Sequence, residues 1–323
     1  MPYNKPLVSV IMPIYNGEKW LLTSLKSLVD QTFKNFEILL INDGSTDASE
    51  KISQSFAEQD TRAHYFYKKN GGVSSARNLG LEKARGNFVY FFDCDDMLAP
   101  DTLEFLVNLQ EINNADIASC FFTAVSEQAI PAEFKNENKS ETIINAADDK
   151  WENGEVFTRI LKCKLFSRKV IGDIRFSEQI HYAEDDLFTT EVFINADKVI
   201  YSPAIKVFYY LHEESETHRI QLYSFFESYV LARRLIKEKI CAATNDENIR
   251  VLVYRDYFTS IFALFRCAVR DGDKKQYEQL QQKYAKLLEE FLVEGKISIG
   301  KKWEYKTYIK SYIVARLIHA RKL

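Results

Sequence analysis

The sequence predicts an α/β protein, a parallel sheet covered by helices on both faces and followed by a smaller helical domain. Three observations carry this. The first hundred residues alternate short apolar runs with amphipathic helical patterns. The runs are nearly continuous in apolar residues, as expected of strands buried on both sides. From about residue 218 the pattern turns wholly helical, with no proline after Pro203.

Val8 to Met12 is a β-branched run that stops at Pro13. Trp20, Leu21, Leu25, Leu28 and Val29 then share one helical face, with Asn16 as the expected N-cap. Phe36 to Ile41 is the second strand, ended by Asn42-Asp43-Gly44, and Ser45-Thr46-Asp47 supplies caps for the next helix. Tyr65 to Tyr67 is the third strand. Val73 to Ala84 is the third helix, and Gly86 follows its end. Phe88 to Phe92 is a fourth strand, running straight into Asp93-Cys94-Asp95-Asp96. Residues 126 to 155 are polar and read as a surface excursion. Strand patterns return at Leu165-Phe166, Val199 to Tyr201 and Ile205 to Tyr210. A domain boundary is expected near 215: residues 1–215 form the first domain (halves 1–96 and 97–215) and 216–323 the second.

At 323 residues, 46% hydrophobic and 14% aromatic, the chain can build a packed core and is not of a disordered composition. A net charge of −3 gives no bias toward nucleic acid. Five cysteines without a CxxC pair point to reduced thiols and a cytoplasmic setting. No basic and apolar leader opens the chain, so no secretory signal is expected. The longest apolar stretch, Tyr257 to Val269, contains Arg266 and falls short of the roughly 20 residues a membrane span needs.

In open α/β sheets ligands collect beyond the carboxyl ends of the strands. The unusual polar clusters lie at such ends: Tyr15-Asn16, Asp43-Gly44, Asn70-Gly71-Gly72 and Asp93 to Asp96. Adjacent carboxylates repel one another, and a hard cation with oxygen ligands, Mn²⁺ or Mg²⁺, would supply the counter-charge. The plain alternative is an acidic turn before the helix near Asp101. Gly71-Gly72 before a helix can cradle an anion, with Arg77 one turn in and able to reach a phosphate. Glu184-Asp185-Asp186 is either favourable charge at a helix N-terminus or the seat of a general base. His212, at a strand end, is either a surface residue or part of the site. No HExxH-type pair suggests zinc, and no GxGxxG follows the first strand.

Together, Val8 to Asn16, Ile41 to Asp47, Asn70 to Gly80 and Phe92 to Asp96 resemble the motifs of the inverting glycosyltransferases of family two, which have the GT-A fold. The resemblance is strong over residues 7 to about 100, looser from 160 to 215, and absent beyond. It implies a Rossmann-like, mainly parallel nucleotide-binding sheet. It also implies a UDP-sugar donor and a glycan or lipid-linked glycan acceptor. Pro13, Tyr15 and Asp43 match the nucleobase pocket, and Asn70 and Arg77 match nucleotide-binding positions. Asp93 and Asp95 match an Asp-x-Asp motif, the first near the ribose or metal and the second a metal ligand. Asp185 matches the base. Glu184, Asp186 and Lys164 fall on the acceptor side or in support. His212 falls where relatives place a residue facing the phosphate or metal. A nucleotidyltransferase would carry a basic glycine-rich loop where this chain has Tyr15-Asn16-Gly17-Glu18. A non-catalytic nucleotide-sugar binder would not need Asp93, Asp95 and Asp185 together.

Residues 296–323 carry eight lysines and arginines against Glu304, interleaved with Trp303, Tyr305, Tyr308 and Tyr312. That pattern suits either an anionic membrane surface on the inner face of the plasma membrane or a terminal helix with a solvated basic face.

Overall fold

The computed structural model of the protein describes residues 5–126, 142–145, 161–212 and 223–293. The chain divides into two compact units, Met1–Glu213 and Glu214–Leu323.

The first unit is built on a nine-stranded sheet in the order β3-β2-β1-β4-β8-β6-β9-β5, with β7 paired to β9. Strands β1 (Val8–Ile14), β2 (Phe36–Asn42), β3 (Ala63–Tyr67) and β4 (Phe88–Phe91) are mutually parallel. Every residue of β1 and β2 is buried, which is why these runs are mostly apolar, and the buried Ser9 hydroxyl donates to the buried Glu37 carboxylate. The pleat sends alternate residues to opposite faces. Val8, Val10 and Met12 pack with Leu21, Leu25 and Leu28 of helix α1 (Leu21–Val29). Ile11, Leu39 and Ile41 meet Ala76 and Leu81 of helix α3 (Val73–Lys83) on the other face. Helix α3 lies so close to β1 that a Cβ on Gly80 would stand 2.3 Å from Ile11 Cγ2. Helix α2 (Ser49–Gln59) connects β2 to β3.

Beyond β4 the sheet is mixed, so "mainly parallel" describes its first four strands. Strand β8 (Lys164–Ser167) runs antiparallel to both β4 and β6 (Ile117–Val125), and β6 runs parallel to β9 (Lys198–Tyr210). Short strands β5 (Met97–Leu98) and β7 (Thr142–Asn145) lie antiparallel against β9. The two strand patterns around Pro203 form one strand. Its ladder to β6 shifts register between Ser119 and Phe121, where a residue lacking an N–H is tolerated. Helices α4 (Thr102–Asn113), α5 (Arg168–Ile171) and α6 (Glu184–Asn195) complete the unit.

Asn16 does not cap α1, whose N-cap is Trp20 without a side-chain bond. Asn16 instead adopts φ 49°, and its Oδ1 accepts the backbone N–H of Thr46 at 2.8 Å. Likewise Ala48, not Ser45, Thr46 or Asp47, is the N-cap of α2. These polar side chains join the β1–α1 and β2–α2 loops: Gly17 N–H donates to Ser49 Oγ, Glu18 N–H to Asp47, and Ala48 N–H to Glu18.

In the second unit helices α7 (Tyr223–Ala243), α8 (Glu247–Arg270) and α9 (Lys274–Val293) pack around Phe258, Ile261, Phe262, Phe265, Tyr277 and Leu280. Asp246 caps α8, accepting from Asn248 and Ile249 N–H. The Tyr257 to Val269 stretch is the core face of α8, and no described helix is long and apolar enough to cross a membrane. Most of the polar excursion and all of the basic 296–323 segment lie outside the described residues.

Candidate active site

Asp43 stands just past β2 and is almost wholly buried. Its carboxylate accepts Lys68 Nζ at 2.5 Å, Gly71 N–H at 2.9 Å and Gly72 N–H at 2.8 Å. The glycine loop's Gly71 and Gly72 amides are therefore turned onto an anion of the protein itself, the Asp43 carboxylate. Gly44 is required here, since its φ is 71° and a Cβ would lie 2.7 Å from the backbone nitrogen of Asn70. Pro13 is buried in β1, while Tyr15 (53% exposed), just past β1, and Asn70, three residues past β3, lie exposed on either side of the β2 end.

The acidic turn after β4 distributes its three carboxylates among three different partners. Asp93 Oδ1 accepts from Arg77 Nη2 at 3.1 Å, and Lys162 Nζ lies 3.8 Å from its other oxygen. Burial would raise this carboxyl, but Arg77 and Lys162 overcome it and hold Asp93 below the ordinary range. Asp96, fully buried, accepts Lys162 Nζ at 2.6 Å and the Tyr210 N–H at 3.3 Å. The Lys162 ammonium also sits 3.7 Å from the centre of the Tyr209 ring. The Tyr90 hydroxyl donates to its carbonyl. Asp95 Oδ2 lies 3.1 Å from His212 Nε2. Burial and then the Asp93 charge push Asp95 up, with His212 drawing it back.

Arg77 is 6% exposed, and its guanidinium joins two acidic motifs. Nη1 donates to Glu184 Oε1 at 2.8 Å while Nη2 holds Asp93. The guanidinium carbon lies 5.3 Å from the centre of the Phe176 ring. Phe176 in turn stacks on Phe188 of α6 at 3.9 Å, so apolar packing and ion pairing fix the same helix end. Asn78 reinforces this by bonding both the N–H and the carbonyl of Phe176. Arg77 thus bridges the two acidic motifs.

Glu184-Asp185-Asp186 forms the first turn of α6, entered through Ala183 at φ 64°, a left-handed conformation rare for a residue with a Cβ. Such strain is commonly found at functional sites. Glu184 and Asp186 are buried to 8% and 7% exposure, while Asp185 is only half-buried and accepts the Asp186 N–H. Lys164 is 1% exposed, and burial lowers its ammonium to about 8. Lys164, Glu184 and Asp186, expected on the acceptor side or in support, are all buried. Lys162, Lys68 and Trp20 were not singled out by sequence. Only Lys68, beside a strand end, carried a local signal.

Burial pushes Glu184 up to about 7, with Asp185 adding to the shift and Arg77 opposing it. Its proton is held more tightly in the folded protein than in the unfolded chain. The stability it contributes is full below about pH 4.3, the unfolded value, and is lost as pH rises through about 7. Chemical denaturation of Glu184→Gln should therefore show stability rising relative to wild type between about pH 5 and pH 8. A relative fall would mean that Arg77 more than offsets the burial.

Among the described residues no three His, Cys, Asp or Glu side chains converge on a metal position. Asp95 and His212 form a pair in which the carboxylate oxygen suits Mn²⁺ or Mg²⁺, while the softer imidazole nitrogen suits Mn²⁺ better than Mg²⁺. Such a pair fits an ion that takes its remaining ligands from phosphate oxygens and water.

Residues 9–175, just over half of the chain, match the sequence model of glycosyl transferase family 2. The chain belongs to that family. EpsJ of Bacillus subtilis (strain 168), described as an uncharacterized glycosyltransferase, is 33% identical to this family-2 chain over 205 residues, covering 60% of this chain and 58% of EpsJ. EpsH of the same organism, a putative glycosyltransferase, is 29% identical over 293 residues, covering 85% and 81%. The alignments span only 25% and 29% of two rickettsial relatives, from Rickettsia bellii and Rickettsia felis. Staphylococcus aureus TarS 1–349 in complex with UDP-GlcNAc superposes with a TM-score of 0.69 at 22% identity, covering 87% of this chain and 80% of that one. The mannosyltransferase PcManGT of Pyrobaculum calidifontis, in complex with GDP-Man and Mn²⁺, gives 0.58 at 16% identity, covering 98% and 88%. The fold of this family-2 member is thus the GT-A fold, with its mixed, curled sheet and helical C-terminal portion.

Proposed function

We propose that this protein is an inverting glycosyltransferase. It would move a sugar from a UDP-sugar to a hydroxyl of a glycan or lipid-linked glycan, with Asp185 as general base and Mn²⁺ or Mg²⁺ at Asp95 and His212. One observation carries the reading beyond family membership. Arg77 and Lys162 neutralise Asp93 and Asp96, while Asp95 faces an imidazole at the carboxyl end of a central strand. An acidic turn serving only as a helix cap would not need that division. UDP as the nucleotide is supported by the TarS complex with UDP-GlcNAc.

On this reading Pro13, Tyr15 and Asp43 line the nucleobase end, with Lys68 and the glycine amides setting the Asp43 carboxylate. Asn70 borders the same edge, and Asp93 faces the ribose or the metal. A bound divalent ion would offset negative charge on the departing diphosphate. Arg77 keeps Glu184 and Asp93 in register, so the turn bearing Asp185 stays a constant distance from the donor side. Asp185, the most exposed of its three acids, accepts the proton of the acceptor hydroxyl as that oxygen attacks the anomeric carbon. A single displacement inverts that carbon and needs no covalent enzyme intermediate. The basic 296–323 segment would dock the enzyme beside a lipid-linked acceptor at the inner face of the plasma membrane.

The test is UDP release across a panel of UDP-sugars with Mn²⁺ and glycan acceptors, with the product's anomeric configuration read by NMR. An inverted linkage from at least one donor is expected. A retained configuration, or binding of donors with no transfer under any acceptor, would overturn the reading.

A further inference from the structure

The residue that holds His212 in place comes from the opposite end of the first unit's sequence. The Trp20 indole stacks on the His212 imidazole, with ring centroids 4.0 Å apart and planes at 27°. The Tyr210 ring lies 5.3 Å from the same imidazole at 28°. His212 lies two residues past the end of β9, just beyond Leu211, whose N–H makes the last bond to the neighbouring strand at Val125. Its contact with Asp95 sets where Nε2 lies, and that contact by itself does not set the rotation of the ring about it. A stacked neighbour removes that rotation, because it sets the plane of the ring.

Trp20 is itself well anchored. Its N–H donates to the Gly17 carbonyl at 3.0 Å, and its carbonyl accepts from Thr23 and Ser24 N–H in the first turn of α1. Gly17 is pressed against the acidic turn, since a Cβ there would stand 3.0 Å from Cys94 Sγ. Cys94 lies between Asp93 and Asp95. The backbone that carries the indole is thus held next to the turn that bears Asp95.

We propose that Trp20 is a positioning residue for the metal pair, its indole fixing the plane of the His212 imidazole so that Nε2 and Asp95 present to one divalent ion. The inference rests on the reading of Asp95 and His212 as metal ligands. It assigns a role to a loop that the family resemblance connects only with the nucleotide.

The experiment measures Mn²⁺ binding to the protein with UDP, from the EPR signal of free Mn²⁺ and with UDP alone as the reference. The variants are Trp20→Phe, which keeps a stacking ring, and Trp20→Leu, which keeps apolar cover but no ring. Residues that orient metal ligands typically contribute about 10- to 100-fold in affinity. Trp20→Leu should weaken Mn²⁺ binding by roughly that factor. Trp20→Phe should stay close to wild type, and kcat at saturating Mn²⁺ should be kept in both. Equal Mn²⁺ affinity in Trp20→Leu and wild type overturns the role of Trp20, as does a Trp20→Phe as weak as Trp20→Leu. A wild-type protein that binds no Mn²⁺ with UDP overturns the reading of the metal pair itself. Should Trp20→Leu fail to fold, fluorescence decides. Bound Mn²⁺ should quench wild-type tryptophan emission and not that of Trp20→Phe, and quenching that persists in Trp20→Phe overturns the inference.

Discussion

Asp185→Asn is expected to bind UDP as the wild type does and to transfer sugar about 10²-fold more slowly or worse, the usual scale for a lost general base. The substitution keeps the side chain's shape and its bond from the Asp186 N–H, and removes the negative charge together with the capacity to accept a proton. Nucleotide binding should hold, because Pro13, Tyr15 and Asp43 lie at the ends of β1 and β2 while Asp185 sits on α6. A loss in kcat with donor affinity kept marks an interaction made mainly in the transition state. Asp186→Asn is the control for charge loss in the same turn. Asp186 is buried, so its variant should cost stability more than rate. If Asp186→Asn were the inactive variant and Asp185→Asn turned over normally, the assignment within this turn would be wrong. If neither slowed transfer, the base would lie outside the turn.

Asp95→Ala is expected to abolish measurable turnover while leaving the fold intact. Charge stabilisation by a bound cation contributes several kcal/mol to such reactions, about 10²-fold or more in rate. Thermal melting provides the control. Burial and the Asp93 charge both work against an ionised Asp95, so its removal should hold or raise the melting temperature. Asp96→Ala should behave in the opposite way even though burial pushes the Asp96 carboxyl up to about 7, because Asp96 directly pairs a buried cation. It would leave the Lys162 ammonium, which contacts Asp96 at 2.6 Å, buried with its nearest counter-charge gone. Losing one partner of a buried ion pair typically costs about 3–5 kcal/mol. EDTA should silence the wild type, and Mn²⁺ or Mg²⁺ should restore it. Full activity after exhaustive chelation, or an Asp95→Ala protein that still turns over, would remove the metal from the mechanism.

Strands β1, β2 and β4 were legible because they are buried on both faces, and burial on both faces writes a continuous apolar run. Their ends were legible because Asn42-Asp43-Gly44 and Asp93-Cys94-Asp95-Asp96 break those runs abruptly. Since ligands gather at such ends, the approximate place of the site followed from local pattern alone, and the matching motifs extended it to named residues. Strand β6 was not singled out. Strand β9 appeared as two pieces because Pro203 interrupts its pattern at a register shift that only the neighbouring strand reveals.

The counter-charges belonged wholly to the tertiary structure. Arg77 meets Glu184 across 107 residues of sequence, Lys162 meets Asp96 across 66, and His212 meets Asp95 across 117. No periodicity links such positions, because the sheet order places β8 and β9 beyond β4 and brings their flanking residues to the acidic turn. Burial was equally out of reach. It encloses the Arg77 bridge between carboxylates, and it pushes the Glu184 carboxyl up to about 7. The sequence by itself determined which strands form, where they end and which acids stand there. The pairing of those acids, and hence which one is left facing an imidazole, was decided by three-dimensional convergence, because desolvation and Coulomb energies depend on distances that the order of residues does not contain.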